Sequence, residues 1–168
     1  MHSRIFQVSR QKIEKDEYYD AERYYSGEHE GFAGDYSEVA DYVDEDTDRI
    51  SDIKWLSQYL VGSVEFLSED SFKIINKNKY FDDKYINFRQ AVEGVQNITK
   101  EEYINDQTKS GIMLDHLEQS YSEKFGFYID EYNQKNYYTD FFGPLDDFMR
   151  RVQDGEVYYI GATIDYHC

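Results

Sequence analysis

Apolar residues recur along the chain at two spacings, one typical of strands and one typical of helices. Alternating apolar positions predict strands at 3–9 and 156–166, and the second strand places four apolar side chains on one face, namely Tyr158, Ile160, Ala162 and Ile164. Two apolar runs joined by four polar residues, 64–67 and 72–75, predict a β-hairpin. A further strand is predicted at 126–132. We expect the long C-terminal strand to pair with the N-terminal one.

Steps of three and four residues between apolar positions predict helices. The first covers about 48–61, and the second covers about 82–96 with Asp82 as its cap. Trp55, the only tryptophan, lies beside the apolar stripe of the first helix and is expected in the core. A capping box begins the third helical segment, which Gly111 could split into two helices.

Two shorter helices complete the pattern. Asp35 and Glu38 fit a capping box for a helix at 36–43. Pro144 is acceptable at the first position of the other, which follows Gly143. Strands and helices do not alternate strictly, so the sequence predicts one α+β domain over residues 1–168, with a mostly antiparallel sheet of about five strands and four to six helices.

The composition is that of a folded chain. Apolar residues make up 40% and aromatic residues 18%, which is too high for a disordered protein. The single cysteine, Cys168, excludes an internal disulfide and suits a reducing compartment. No stretch has the pattern of a signal peptide or a membrane span. We therefore expect a cytoplasmic protein that does not contact membranes.

Negative charge is concentrated in residues 14–48, which we call the acidic segment. It contains fourteen of the 35 acids and two of the 18 bases, so it carries a net −12 of the total −17. Six tyrosines are interleaved with the acids. Such a charge repels nucleic acids, so direct nucleic-acid binding is not expected, and it attracts basic protein partners.

The residues expected to contact a basic partner lie in the helix at 36–43 and in the acidic cluster after it. They are Asp35, Glu38, Asp41, Tyr42, Asp44, Glu45, Asp46 and Asp48. A largely helical segment would space its net charges about 4 Å apart along the axis, close to the ~3.4 Å between phosphates along one DNA strand.

In composition and charge layout, the acidic segment resembles DNA-mimic antirestriction and anti-CRISPR proteins, and acidic immunity proteins that neutralise nuclease toxins. The resemblance implies a non-enzymatic inhibitor that occupies the nucleic-acid channel of a basic enzyme. The alternative is a cytoplasmic structural or regulatory domain whose acids are only solvated and whose tyrosines are buried. Neither possibility fixes an oligomeric state.

Other kinds of site have weaker support. Acids alternate from Asp44 as in a calcium loop, but the sixth position is Arg49 instead of glycine and the twelfth is Trp55 instead of glutamate. The four histidines and Cys168 lack the spacing of a zinc site. There is no nucleophile elbow and no phosphate-binding loop. The sequence therefore predicts no enzyme activity, no cofactor and no metal.

Overall fold

The computed structural model describes residues 2–19, 46–121, 127–135 and 138–167. Its strands are β1 (His2–Ser9), β2 (Val64–Ser68), β3 (Ser71–Ile74), β4 (Phe127–Asn133), β5 (Tyr138–Pro144) and β6 (Val157–His167). Its helices are α1 (Asp46–Tyr59), α2 (Lys77–Gln96), α3 (Lys100–Asn105), α4 (Gln107–Tyr121) and α5 (Leu145–Arg151), with a short 3-10 helix at Lys15–Glu17. The strands form one sheet in the order β2-β3-β6-β1-β4-β5. The predicted α+β domain with a mostly antiparallel sheet is confirmed.

The centre of the sheet joins the two ends of the described chain. β1 pairs with β6, as predicted, and this pair is antiparallel, while β1 and β4 pair in the parallel sense. The predicted hairpin is formed by β2 and β3. β5 was not predicted, because Gly143 and Pro144 indicated only the start of a helix. Pro144 ends this edge strand, where a missing N–H is tolerated, and α5 begins one residue later.

A bulge in β6 reverses which face its side chains occupy. Phe6 is paired with Thr163 but Val8 with Ile160, so β6 has one extra residue between these pairs. The four side chains predicted to share a face therefore divide between the two faces, with Tyr158 and Ile160 in one core and Ala162 and Ile164 in the other. That prediction was wrong because an inserted residue shifts a strand's alternation by one position.

The larger core lies between the sheet and α1, α2 and α5. In α1 and the turn after it, Ile53, Leu56 and Leu60 form the predicted inner stripe and are buried. Ile50 is exposed, and Trp55 is 50% exposed, so the prediction of a core tryptophan was wrong. Neighbouring helical residues point about 100° apart, and the Trp55 ring only packs edge-on beside the core.

The remaining helices differ from the prediction mainly at their ends. α2 begins at Lys77, with Asn76 as its cap instead of Asp82. The capping box before α3 is confirmed. The break that follows falls at Asp106 and not at Gly111, because the Asp106 carboxylate accepts a hydrogen bond from a backbone N–H in the first turn of α4, at 2.9 Å. None of the described helices is both long enough and apolar enough to cross a membrane.

Candidate functional site

Most of the predicted partner-binding residues lie outside the described residues. These are Asp35, Glu38, Asp41, Tyr42, Asp44 and Glu45, together with the predicted helix at 36–43. Asp46 and Asp48 belong to the first turn of α1. The structure does, however, describe how both flanks of the acidic segment are attached to the fold.

The N-terminal flank is held by Gln7, a buried side chain of β1. Its amide oxygen accepts a hydrogen bond from the backbone N–H of Tyr19 at 3.3 Å, and its amide nitrogen donates to the carbonyl of Glu17 at 3.0 Å. The Tyr19 ring packs edge-on against Tyr132, with the ring centroids 5.3 Å apart. Tyr19 is buried and Tyr18 is half-buried. These two tyrosines of the acidic segment pack in the smaller core, which also contains Ile5, Tyr132, Ala162 and Ile164.

The C-terminal flank is held by Arg49 in α1. Its guanidinium donates to the carbonyls of Ile160 and Gly161 in β6, at 2.7 and 2.6 Å. The same guanidinium lies 5.2 Å from the centroid of the Tyr18 ring. Arg49 therefore satisfies backbone acceptors at the bulge, and the two flanks of the acidic segment meet at this part of β6.

A cleft of about 460 Å³ opens at the carboxyl ends of the parallel strands β1 and β4. Carboxyl ends of parallel strands are a frequent position for ligand sites in α/β sheets. The charged side chains that line the cleft come from the ends of four elements and from the turn after β4, and they include Arg10, Glu131, Lys135, Asp140 and Arg151. None of these residues was singled out from the sequence.

Glu131 of β4 is the most buried of the charged residues that line the cleft, at 9% exposure. Within the described part of the chain, its carboxylate forms an ion pair with Arg10, whose Nε lies 3.5 Å from Oε1. A charge-assisted hydrogen bond is normally shorter, at about 2.7–2.9 Å. Arg10 pairs more closely with Glu156, at 3.0 Å. Burial raises the pKa of the Glu131 carboxyl, and Arg10 and Arg151 oppose this effect only in part.

Aromatic rings position the basic groups around Glu131. The Arg10 guanidinium lies 5.7 Å from the centroid of the Tyr158 ring, and the Arg151 guanidinium lies 4.5 Å from that of Phe141. The Tyr158 hydroxyl donates to Glu156 at 3.2 Å. Burial, followed by the nearby Glu131 charge, raises the pKa of Tyr158, which keeps this donor protonated. The cleft therefore combines a desolvated carboxylate with fixed cations, an arrangement suited to binding polar molecules.

The sequence contained one signal of this site. Asp130 and Glu131 stand next to each other inside the predicted strand at 126–132, so one carboxylate must lie on each face of the sheet. Both are buried in the structure. Asp130 accepts a hydrogen bond from the Thr139 hydroxyl at 3.0 Å. A pair of acids within an apolar strand indicates buried charge, but it does not show which acid lines a cleft.

Replacing Glu131 with glutamine is expected to stabilise the protein at neutral pH. The raised pKa means that the folded state holds this proton more tightly than the unfolded state, so ionisation of Glu131 lowers stability as the pH rises above the ordinary carboxyl range. The gain should therefore be present near pH 7, should shrink as the pH falls from the raised pKa towards the ordinary carboxyl value of about 4.5, and should be absent below it. Urea denaturation at several pH values measures it.

The matched control for that experiment is Glu69→Gln, which removes one negative charge from the exposed turn between β2 and β3. Its effect on the free energy of unfolding should be within about 0.5 kcal/mol, as for most surface substitutions. An unchanged or lower stability of Glu131→Gln at neutral pH would contradict the prediction.

The charges of the acidic segment and the cleft at Glu131 are thus the two features from which a function can be inferred. The chain matches no protein-family model, no curated protein and no solved structure.

Proposed function

We propose that this protein is a non-enzymatic acidic binding protein that inhibits a basic nucleic-acid-handling enzyme by presenting a DNA-mimicking negative surface. The observation that carries the proposal is the concentration of charge in the acidic segment, with fourteen acids against two bases. Like charges held in one stretch repel each other and give no folding benefit. The basic groups of a nucleic-acid channel in another protein would attract these acids and so offset the repulsion between them.

The ion pairs of the described fold support the proposal. Several bases of the described fold already pair with acids outside the acidic segment, as in Arg4–Asp52, Arg10–Glu156, Lys79–Asp83, Lys84–Asp146, Lys109–Glu102 and Arg150–Asp147. Lys12 pairs with Glu14 of the acidic segment, and both side chains of that pair are exposed. A base that already pairs with one carboxylate neutralises a second one less, which favours a segment whose charge is directed at another molecule.

The attachment of both flanks also supports the proposal. Gln7 holds one flank, Arg49 holds the other, and Arg49 also contacts Tyr18. A partner therefore meets a chain tethered at both ends instead of a free tail. Tethering reduces the conformational freedom that binding must remove, and this favours affinity. The proposal places the protein in the cytoplasm, where such enzymes meet their nucleic acids.

The proposal is tested by measuring duplex DNA cleavage by restriction, RNA-guided and toxin-type nucleases with increasing amounts of the protein. We expect inhibition of a susceptible nuclease that weakens severalfold or more when the salt concentration is raised, because exposed charges are screened. Reversing four charges of the acidic segment should weaken inhibition at least about tenfold. The four substitutions are Asp35→Lys, Glu38→Lys, Asp41→Lys and Asp44→Lys.

The matched control reverses the same number of exposed acids outside the acidic segment, through Glu69→Lys, Asp82→Lys, Glu93→Lys and Asp115→Lys. This variant has the same net charge as the test variant and should remain within a few-fold of the unmodified protein. Equal losses in both variants would show that only total charge matters and would contradict a shaped mimic. Inhibition that does not respond to salt would contradict electrostatic binding and favour the structural or regulatory alternative.

A further inference from the structure

The charged groups of the cleft are incompletely paired, and three of them bear on ligand binding, namely Glu131, Arg151 and Lys135. The Glu131 side chain is 12% exposed, and within the described part of the chain its ion pair is the 3.5 Å contact with Arg10. Arg151 contacts the Phe141 ring, and for it and Lys135 no described carboxylate lies within ion-pair distance. A largely buried carboxylate that receives no short hydrogen bond from the protein costs free energy unless water or a ligand supplies the donor.

These groups define what a ligand must carry. An ammonium group would satisfy Glu131, since Arg10 already has its closer pair with Glu156. An anionic group would satisfy Arg151 and Lys135 on the same lining. A purely cationic ligand would leave the two bases unmatched, and a purely anionic ligand would be repelled by Glu131. Both charges are therefore needed in one molecule.

The size and character of the cleft restrict the ligand further. About 460 Å³ lies within the ~300–1,000 Å³ typical of small-molecule sites. The Arg10 guanidinium lies over the ring of Tyr158 in the lining of the cleft, so this aromatic surface faces a cation instead of an apolar ligand. The cleft is thus suited to a compact and highly polar molecule.

We propose that this cleft binds a small zwitterion with the chemistry of a free amino acid, its ammonium group against Glu131 and its carboxylate against Arg151 and Lys135. The site lies outside the acidic segment and does not depend on inhibition of an enzyme. It gives the protein a means of responding to a metabolite while its acidic segment contacts another protein.

The test titrates the full chain with each of the twenty L-amino acids at millimolar concentration and follows backbone amide signals by NMR. We expect at least one amino acid to shift signals at the end of β1, in residues 131–135 and at the end of α5. For that amino acid, the N-acetyl form lacks the ammonium charge and the C-terminal amide lacks the carboxylate. Each form should bind at least about tenfold more weakly, the loss expected when one charge-assisted contact is removed.

Two variants assign the contacts. Glu131→Gln should bind the free amino acid at least about tenfold more weakly and should no longer distinguish it from its N-acetyl form. Arg151→Met should likewise lose the distinction between the free amino acid and its amide. Glu69→Gln, which lies outside the cleft, should bind like the unmodified protein.

The proposal would be overturned by any of three results. The first is that no amino acid shifts these signals at millimolar concentration. The second is that the neutralised forms bind as well as the free amino acid. The third is that Glu131→Gln, although folded, still discriminates between the free and N-acetyl forms.

Discussion

Replacing Gly161 with alanine is expected to lower the free energy of unfolding by about 3 kcal/mol, as for an overpacked core site that also loses hydrogen bonds. A Cβ atom at this position of β6 would lie 2.9 Å from Gln7 Cδ and 3.0 Å from Ile13 Cδ1. Neither distance is compatible with ordinary carbon–carbon contact, so one of the neighbours must move.

Gln7 has no room to move without breaking contacts. Besides its bonds to the backbone of Glu17 and Tyr19, its amide oxygen accepts a hydrogen bond from the N–H of Ala162 at 3.0 Å. The residue is 1% exposed, so water cannot replace the lost partners. Displacement of Gln7 would therefore weaken the bulge in β6 and the N-terminal flank of the acidic segment together.

Urea denaturation followed by far-ultraviolet circular dichroism measures this effect. Gly111→Ala is the matched control, because no atom lies within 4 Å of its added Cβ and the residue is inside α4. That substitution should raise stability by about 0.5–1 kcal/mol, the difference between alanine and glycine within a helix. A Gly161→Ala protein as stable as the unmodified one would show that Gln7 does not hold the position assigned to it.

Replacing Asp52 with alanine is expected to cost about 3 kcal/mol, at the lower end of the range for breaking a buried ion pair. Asp52 in α1 accepts a hydrogen bond from Arg4 Nε at 2.7 Å and one from the Thr163 hydroxyl at 3.1 Å. Its side chain is 8% exposed and that of Arg4 is 19% exposed. Because Arg4 also contacts Asp165, the guanidinium keeps one carboxylate, which limits the loss.

The control for this prediction is Asp83→Ala, which removes a pair with Lys79 one helical turn away in α2. Both side chains of that pair are more than 40% exposed, so its loss should cost about 0.5 kcal/mol or less. Denaturation curves of the two variants under the same conditions provide the comparison. Similar losses for both would mean that burial adds nothing to the contact between α1 and the sheet.

Local patterns predicted most elements of this fold, while contacts between distant residues decided the details. The strands at both ends, the hairpin, and the inner stripe of α1 follow from alternation and helical spacing. The bulge in β6 does not, because it depends on Gln7, which is 155 residues away from Ala162. Gly161 is the only residue near the bulge in the sequence that gives an indication of it. The position of Trp55 was missed because burial at the edge of a stripe depends on neighbouring elements.

The two candidate sites differ in how far the sequence predicts them. The acidic segment is evident from composition alone, since charge density needs no coordinates. The cleft required the fold, because Arg10, Glu131 and Arg151 come from the ends of β1, β4 and α5 and only the sheet order places them together. The spacing of these three residues in the sequence does not indicate that they lie close together in space.

The pairing of β1 with β6 and β4 has a consequence for synthesis on the ribosome. β1 is translated long before its parallel neighbour β4 and its antiparallel neighbour β6. Until then Ile5 and Phe6, both buried in the native state, face solvent on an unpaired strand. Pairing across such long stretches of chain slows folding and exposes nascent chains to aggregation. We therefore expect the centre of this sheet to form only after β6 has been translated, and the protein to benefit from chaperones that shield β1 until then.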